Sequence, residues 1–130
     1  MKVSKKQYLQ FMEDVGDWVD YFGLKDWEIN CEFSKQDKDE EPKRGSASFN
    51  TKARIAVITL YDNWPGDSVI SRVTDLLVAK TAFHEVCEVL LGGLAILANE
   101  RGCPMELINE KTHEVIRRLE NTIFADSIDD

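Results

Sequence analysis

The residues best suited to chemistry lie together in Ala82-Phe83-His84-Glu85-Val86-Cys87-Glu88-Val89-Leu90-Leu91. Residues four apart on a helix share a face and are separated by about 6 Å along the axis. His84 and Glu88 therefore project together and can ligate one ion. Glu85 points in a neighbouring direction, within reach of a water held by that ion. This is the logic of H-E-x-x-H, two metal ligands at i and i+4 with a glutamate between them as general base. Here Glu88 replaces the second histidine. A catalytic zinc takes three protein ligands and keeps one position open. The only other histidine, His113, stands in Glu110-Lys111-Thr112-His113-Glu114. If the last two helices pack antiparallel, His113, Glu114 or Glu110 can supply the third ligand. The plainer alternative is a solvated helix face. Against it, Thr81, His84, Glu85, Glu88 and Gly92 form a polar stripe on an otherwise apolar helix, where carboxylates are costly unless paired or bound to a cation. Gly92 would leave space beside the stripe. The angular position of Cys87 favours the core, and Tyr61 and Arg117 have the chemistry to stabilise an oxyanion.

The elements that must position this stripe are readable from periodicity. Tyr8, Phe11, Met12, Val15, Trp18, Val19 and Phe22 recur at spacings of three and four, with Ser4 as N-cap and Gly23 as stop, which predicts a helix of roughly 18 residues. Trp27 to Phe33 alternates strictly, the pattern of an antiparallel strand with one solvated face. Ser34 to Arg44 is charged and holds a proline, so residues 34–45 read as a mobile loop. Ser46 to Asn50 is a short strand. Ala53 to Tyr61 is apolar at nearly every position, as in a strand buried on both faces. Asp67 or Ser68 can cap a helix running from Val69 to about Leu97, whose wide apolar face carries Val69, Val73, Leu76, Leu77, Phe83, Val86, Leu90, Leu94 and Leu97. Gly102-Cys103-Pro104 ends it, and Met105 to Phe124 is a last amphipathic helix. Residues 126–130 form an acidic tail, expected to fray.

The expected fold is thus a single α+β domain over residues 1–130. A small antiparallel three-stranded sheet packs with an N-terminal helix, a long helix bearing the site and a C-terminal helix. A chain of this length buries a core without disulfides. The formal charge of −8 argues against general nucleic-acid binding, which needs an excess of Lys and Arg. Cys31, Cys87 and Cys103 are odd in number and widely spaced, the usage of reduced thiols in the cytoplasm. The N-terminal segment has no apolar run of signal-peptide length, and Val86 to Asn99 is too short to span a bilayer, so no membrane association is expected.

With its N-terminal helix, short sheet with Ala53-Arg-Ile-Ala-Val-Ile-Thr-Leu-Tyr61 as buried strand, and long helix bearing Ala82-Phe-His-Glu-Val-Cys-Glu-Val-Leu-Leu-Gly-Gly-Leu94, the chain resembles a minimal gluzincin or SprT-like metallopeptidase domain. The likeness covers most of the chain in layout, and its specific part is Thr81 to Leu94. It implies a zincin-like fold, one zinc ion, a peptide or protein substrate held along the sheet edge by strand addition, and Glu85 as general base. The family has histidine where Glu88 stands and a glutamate downstream where this chain offers His113. The expected ligand set, His84, Glu88 and His113, therefore keeps the family's ligand types in a permuted order. Two other readings compete. One is a non-catalytic acidic interaction or inhibitor protein, and the other a zincin scaffold that binds metal without turnover.

Overall fold

Ser4 opens the first element with a reciprocal cap. Its Oγ accepts from the Gln7 amide at 3.0 Å, while the Gln7 side chain accepts from the Ser4 amide at 3.0 Å. Such a cap contributes about 1 kcal/mol. The helix it starts, α1, spans Lys5–Tyr21. Gly23 then turns the chain at φ +68°, a conformation that L side chains rarely adopt. The computed structural model describes residues 1–37, 39–66 and 69–127. Within them the order continues as β1 (Glu28–Ser34), β2 (Gly45–Asn50), β3 (Ile55–Tyr61), α2 (Asp75–Glu100) and α3 (Met105–Ile123). This is an α+β fold.

The three strands lie in the order β1-β3-β2. β2 and β3 pair antiparallel, with Ala47 opposite Ile58, and are joined by a tight turn. In that turn the Asn50 side chain accepts from the Lys52 and Ala53 amides, and Arg54 adopts φ +56°. β1 pairs with β3 in parallel, with Cys31 opposite Ile58. The sheet is therefore mixed, and the expected all-antiparallel sheet is corrected. Alternation along Trp27 to Phe33 reports which face is buried, not which way the neighbour runs. Here the segment after β1 carries the chain to the far edge of the sheet, so the next strand, β2, does not pair with β1. Central β3 buries Ala56, Ile58, Thr59 and Leu60, as its continuous apolar run requires.

Phe11 and Val15 of α1, Ile58 and Leu60 of β3, and Val78, Ala82 and Val86 of α2 meet in one core, closed at one end by Trp64. A second cluster of Phe83, Cys87 and Ile116 joins α2 to α3, flanked by Trp18, Phe22 and Phe124. The start of α2 also departs from expectation. Thr74, not Asp67 or Ser68, is the N-cap, and its Oγ1 accepts from the Leu77 amide at 3.1 Å. Asp67 and Ser68 lie outside the described residues. Val73 is buried without being helical and Val69 is 87% exposed, so the apolar spacing before Asp75 marks one packed residue and no helix. The buried positions of α2 end at Gly92, and Leu90, Leu94 and Leu97 are exposed. By length and composition α2 could cross a membrane, but nearly half of its most apolar window is buried inside this fold. It is the core helix of the domain.

Candidate metal centre

Two glycines bring β2 against α2. A Cβ on Gly45 would sit 2.9 Å from the Thr59 carbonyl oxygen and 3.0 Å from Thr81 Cγ2, with Glu85 Cγ at 3.4 Å. A Cβ on Gly92 would fall 2.3 Å from Cε2 of Phe49. β2 thus runs alongside α2 in the same sense, Gly45 beside Thr81 and Glu85, Phe49 beside Gly92. The space left by Gly92 is filled by the Phe49 ring, not kept open for a ligand. Thr81 turns its hydroxyl back to the Leu77 carbonyl at 2.8 Å, which satisfies a buried polar group within the helix.

The other wall is α3, which docks antiparallel on α2. Buried Ile108 and Ile116 fix its rotation, and His113 and Glu120, three before and four after Ile116, then face α2. His113 Nε2 lies 3.3 Å from Glu88 Oε1, and His84 Nδ1 lies 3.2 Å from Glu120 Oε1. The two imidazoles stack with centroids 5.2 Å apart. Ligand atoms of His84, Glu88 and His113 all lie within 4.8 Å of one another, the one group of this kind among the described residues. Glu114 is not in it. Lys111 and Arg118 hold Glu114 at 3.2 and 3.0 Å, and Lys111 in particular keeps its carboxyl below the usual range. Glu110 is exposed and outside the group. Of the three candidates for the third position, the fold thus brings His113 to His84 and Glu88.

Glu85 is only 5% exposed, and its buried Oε2 has no hydrogen-bond partner. Burial pushes the carboxyl up to about 10, with the charge of Glu88 and hydrogen bonding to it adding to the rise and Lys43 opposing it. A cavity of about 400 Å³ opens beside it, walled by Lys43, Arg44, Gly45, Lys80, His84 and Glu120. A second cavity of about 400 Å³ lies further along α2, bounded by Phe49, Gly92 and Glu88. Cys87 is buried, and burial, with Glu120 and Glu88, pushes its thiol up to about 12. A thiol so protonated is a packing group and a poor ligand. Neither Tyr61 nor Arg117 lines the first cavity. Tyr61 Oη is 3.5 Å from Ser46 Oγ, and Arg117 is exposed with its Nε donating to the His113 carbonyl.

The donor set can be tested against a cation. Two imidazoles and a carboxylate suit zinc and its first-row neighbours. Two ligands at 2.0–2.1 Å on a tetrahedral ion are about 3.3 Å apart, and the His113–Glu88 separation is 3.3 Å. The widest spacing in the group is within 4.8 Å. The buried Glu85 Oε2 has no hydrogen-bond partner, and a cation held by the group would give it one. The residues fit.

Periodicity missed Glu120, although it stands two turns after His113 and so on the same face. Bonded to one ring nitrogen of His84, it leaves the other free to ligate and fixes the ring. If the group holds zinc, Glu120→Gln would weaken its binding by about 10- to 100-fold. Competition with a chromophoric chelator reads this directly, and an unchanged affinity would remove Glu120 from the site.

Comparison with known proteins returned no match: no family model, no curated protein and no solved structure is significantly similar to the chain.

Proposed function

We propose that the chain is a zincin-like, zinc-dependent peptidase domain in which His84, Glu88 and His113 hold one zinc ion and Glu85 is the general base. The observation that supports it most is the convergence of these three side chains from two helices next to a buried, unpartnered carboxylate oxygen. An ion in such a set polarises a carbonyl and lowers the pKa of a water. The chain's own groups do the rest. Glu88 and the two imidazoles supply the donors, and Glu120 orients His84. Glu85 takes a proton at its carboxylate and delivers it to the departing amine nitrogen. A cation nearby favours the ionised form of Glu85 that this task requires. β2, closed against α2 through Gly45, shields the carboxylate from bulk water. Its substrates would be peptides or proteins, and the three free cysteines support a cytoplasmic setting.

A second reading also has an observation behind it. Each histidine already faces a carboxylate, so the two pairs can act as a clasp between α2 and α3 in a non-catalytic interaction protein. Elemental mass spectrometry on protein purified without chelator or histidine tag separates the two. About one equivalent of zinc in the wild type and in Glu85→Gln, lost in His84→Ala, is the expected result. No zinc above background after addition at neutral pH would sink the metal reading. Zinc bound without hydrolysis of any peptide would leave the fold as a metal-binding scaffold.

A further inference from the structure

We infer that the peptide bound beside the metal centre carries an acidic side chain, whose carboxylate is received by Lys43, Arg44 and Lys80. This rests on the peptide-binding reading above, but the cations belong to the chain itself and can be tested with or without the ion.

The chain is acidic overall, with 24 Asp and Glu against 16 Lys and Arg. Yet three of those cations wall a cavity that is also lined by His84 and Glu85. Among the described residues none of the three lies within ion-pair distance of a carboxylate. By contrast, Arg54 pairs with Asp26, and Lys111 and Arg118 pair with Glu114. The one carboxylate on this wall that has a partner, Glu120, faces His84. Arg44 is held by its side chain and Lys43 through its backbone. The Arg44 guanidinium lies 5.4 Å over the centre of the buried Trp64 ring, and the Arg44 carbonyl accepts from the Tyr61 amide at 3.0 Å. The Lys43 amide donates to the Gln36 side chain at 3.1 Å. Lys80 precedes His84 by one helical turn and shares its face, about 6 Å along the axis from the metal ligand.

Three cations without an ion-pair partner around one concave site focus a positive potential that a single anion can satisfy. The cavity has room for one or two side chains, and three cations in a pocket cannot track a nucleic-acid backbone. With a chain charge of −8 repelling polyphosphate at longer range, a peptide carboxylate is the fitting occupant. An Asp or Glu one or two residues from the scissile bond would reach Lys80 and Lys43 while its backbone lies against the metal centre.

The test is an amide-shift titration of isotopically labelled protein with acetyl-Ala-Ala-Glu-Ala-Ala-amide and its Gln counterpart, for the wild type and Lys43→Ala/Lys80→Ala. Zinc-loaded and metal-free samples are both titrated, and zinc content is measured on each. The Glu peptide should bind at least about tenfold more tightly than the Gln peptide, equivalent to about 1.4 kcal/mol. The double substitution should bring that ratio near one while zinc content and spectral dispersion stay unchanged. Equal affinities in the wild type, no binding of either peptide at millimolar concentration, or a ratio the double variant leaves intact would each overturn the proposal. So would tighter binding of the oligonucleotide dT8 that is lost in the same variant. Glu preference in a protein that takes up no zinc would retain the pocket and refute the metal. Zinc uptake without the preference would do the reverse.

Discussion

At pH 7 and without metal, Glu85→Gln should be more stable than the wild type by up to roughly 3 kcal/mol. The folded-state carboxyl is pushed up to about 10 by burial and by Glu88, whereas in the unfolded chain it titrates in the ordinary range near 4.5. The native state therefore binds more protons across that interval, and stability falls as pH rises through it. Below about pH 4.5 both states are protonated and the group contributes no slope. From there to pH 7, at 1.36 kcal/mol per unit, the loss reaches roughly 3 kcal/mol. Glutamine has the same shape, cannot ionise, and offers Glu88 a donor. Urea denaturation at pH 5, 7 and 9 should show the gap between the two proteins opening with pH. A gap that stays constant would mean that Glu85 is not a buried neutral acid in the folded protein. Saturating zinc should narrow the gap, because a nearby cation offsets the charge that burial opposes. A residue that weakens the metal-free fold and fits a cation is what a site kept for chemistry would contain.

Trp64→Ala should lose about 3–5 kcal/mol, a large part of the 5–15 kcal/mol that holds such a domain. The indole is 2% exposed, and its Nε1 donates to the Tyr61 carbonyl at 2.9 Å. Its backbone exchanges hydrogen bonds with Met1 in both directions, each 2.8 Å, which ties the N-terminus to the end of β3. For a chain of this size the loss lowers the midpoint of a thermal melt by roughly 10–20 °C. Trp64→Phe keeps most of the volume and loses one hydrogen bond, so it should fall by far less. A small shift in the alanine variant would show that the cavity collapses around the site. Both variants also remove or shrink the platform beneath Arg44.

Much of this architecture was legible in the residues. The N-cap at Ser4, the apolar spacing of α1 and the unbroken apolar run of β3 specify their elements locally, and the order of all six elements was readable from such patterns along the chain. What local pattern does not encode is direction and rotation. The parallel pairing of β1 depends on where residues 35–44 carry the chain, and nothing in the alternation of Trp27, Ile29, Cys31 and Phe33 records that. On α2, the i to i+4 relation of His84 and Glu88 was visible. The choice among His113, Glu114 and Glu110 depended on the rotation of α3 about its axis, which is fixed only when Ile108 and Ile116 find their places. Lys43 and Arg44 read as part of a solvated loop. Their role in walling the cavity arises from the hydrogen bond between Arg44 and Tyr61 and from the ring beneath the guanidinium, contacts between residues 17 to 20 positions apart.

One consequence follows from the way α3 is attached. It rests chiefly on α2 and on the small aromatic cluster around Phe83. Two groups of the proposed metal centre, His113 and Glu120, therefore ride on an element whose opening would leave the sheet intact. Sub-global opening of such an element has a free energy well below that of whole-chain unfolding. The apparent affinity for an ion is then the intrinsic affinity reduced by the fraction of molecules with α3 closed. By the same linkage, an ion bound by donors from both helices slows the exchange of α3 amides with solvent while leaving β3 amides almost as they were. The proposed metal centre would thus serve as a latch on α3, and the supply of the ion would set how often the latch is shut.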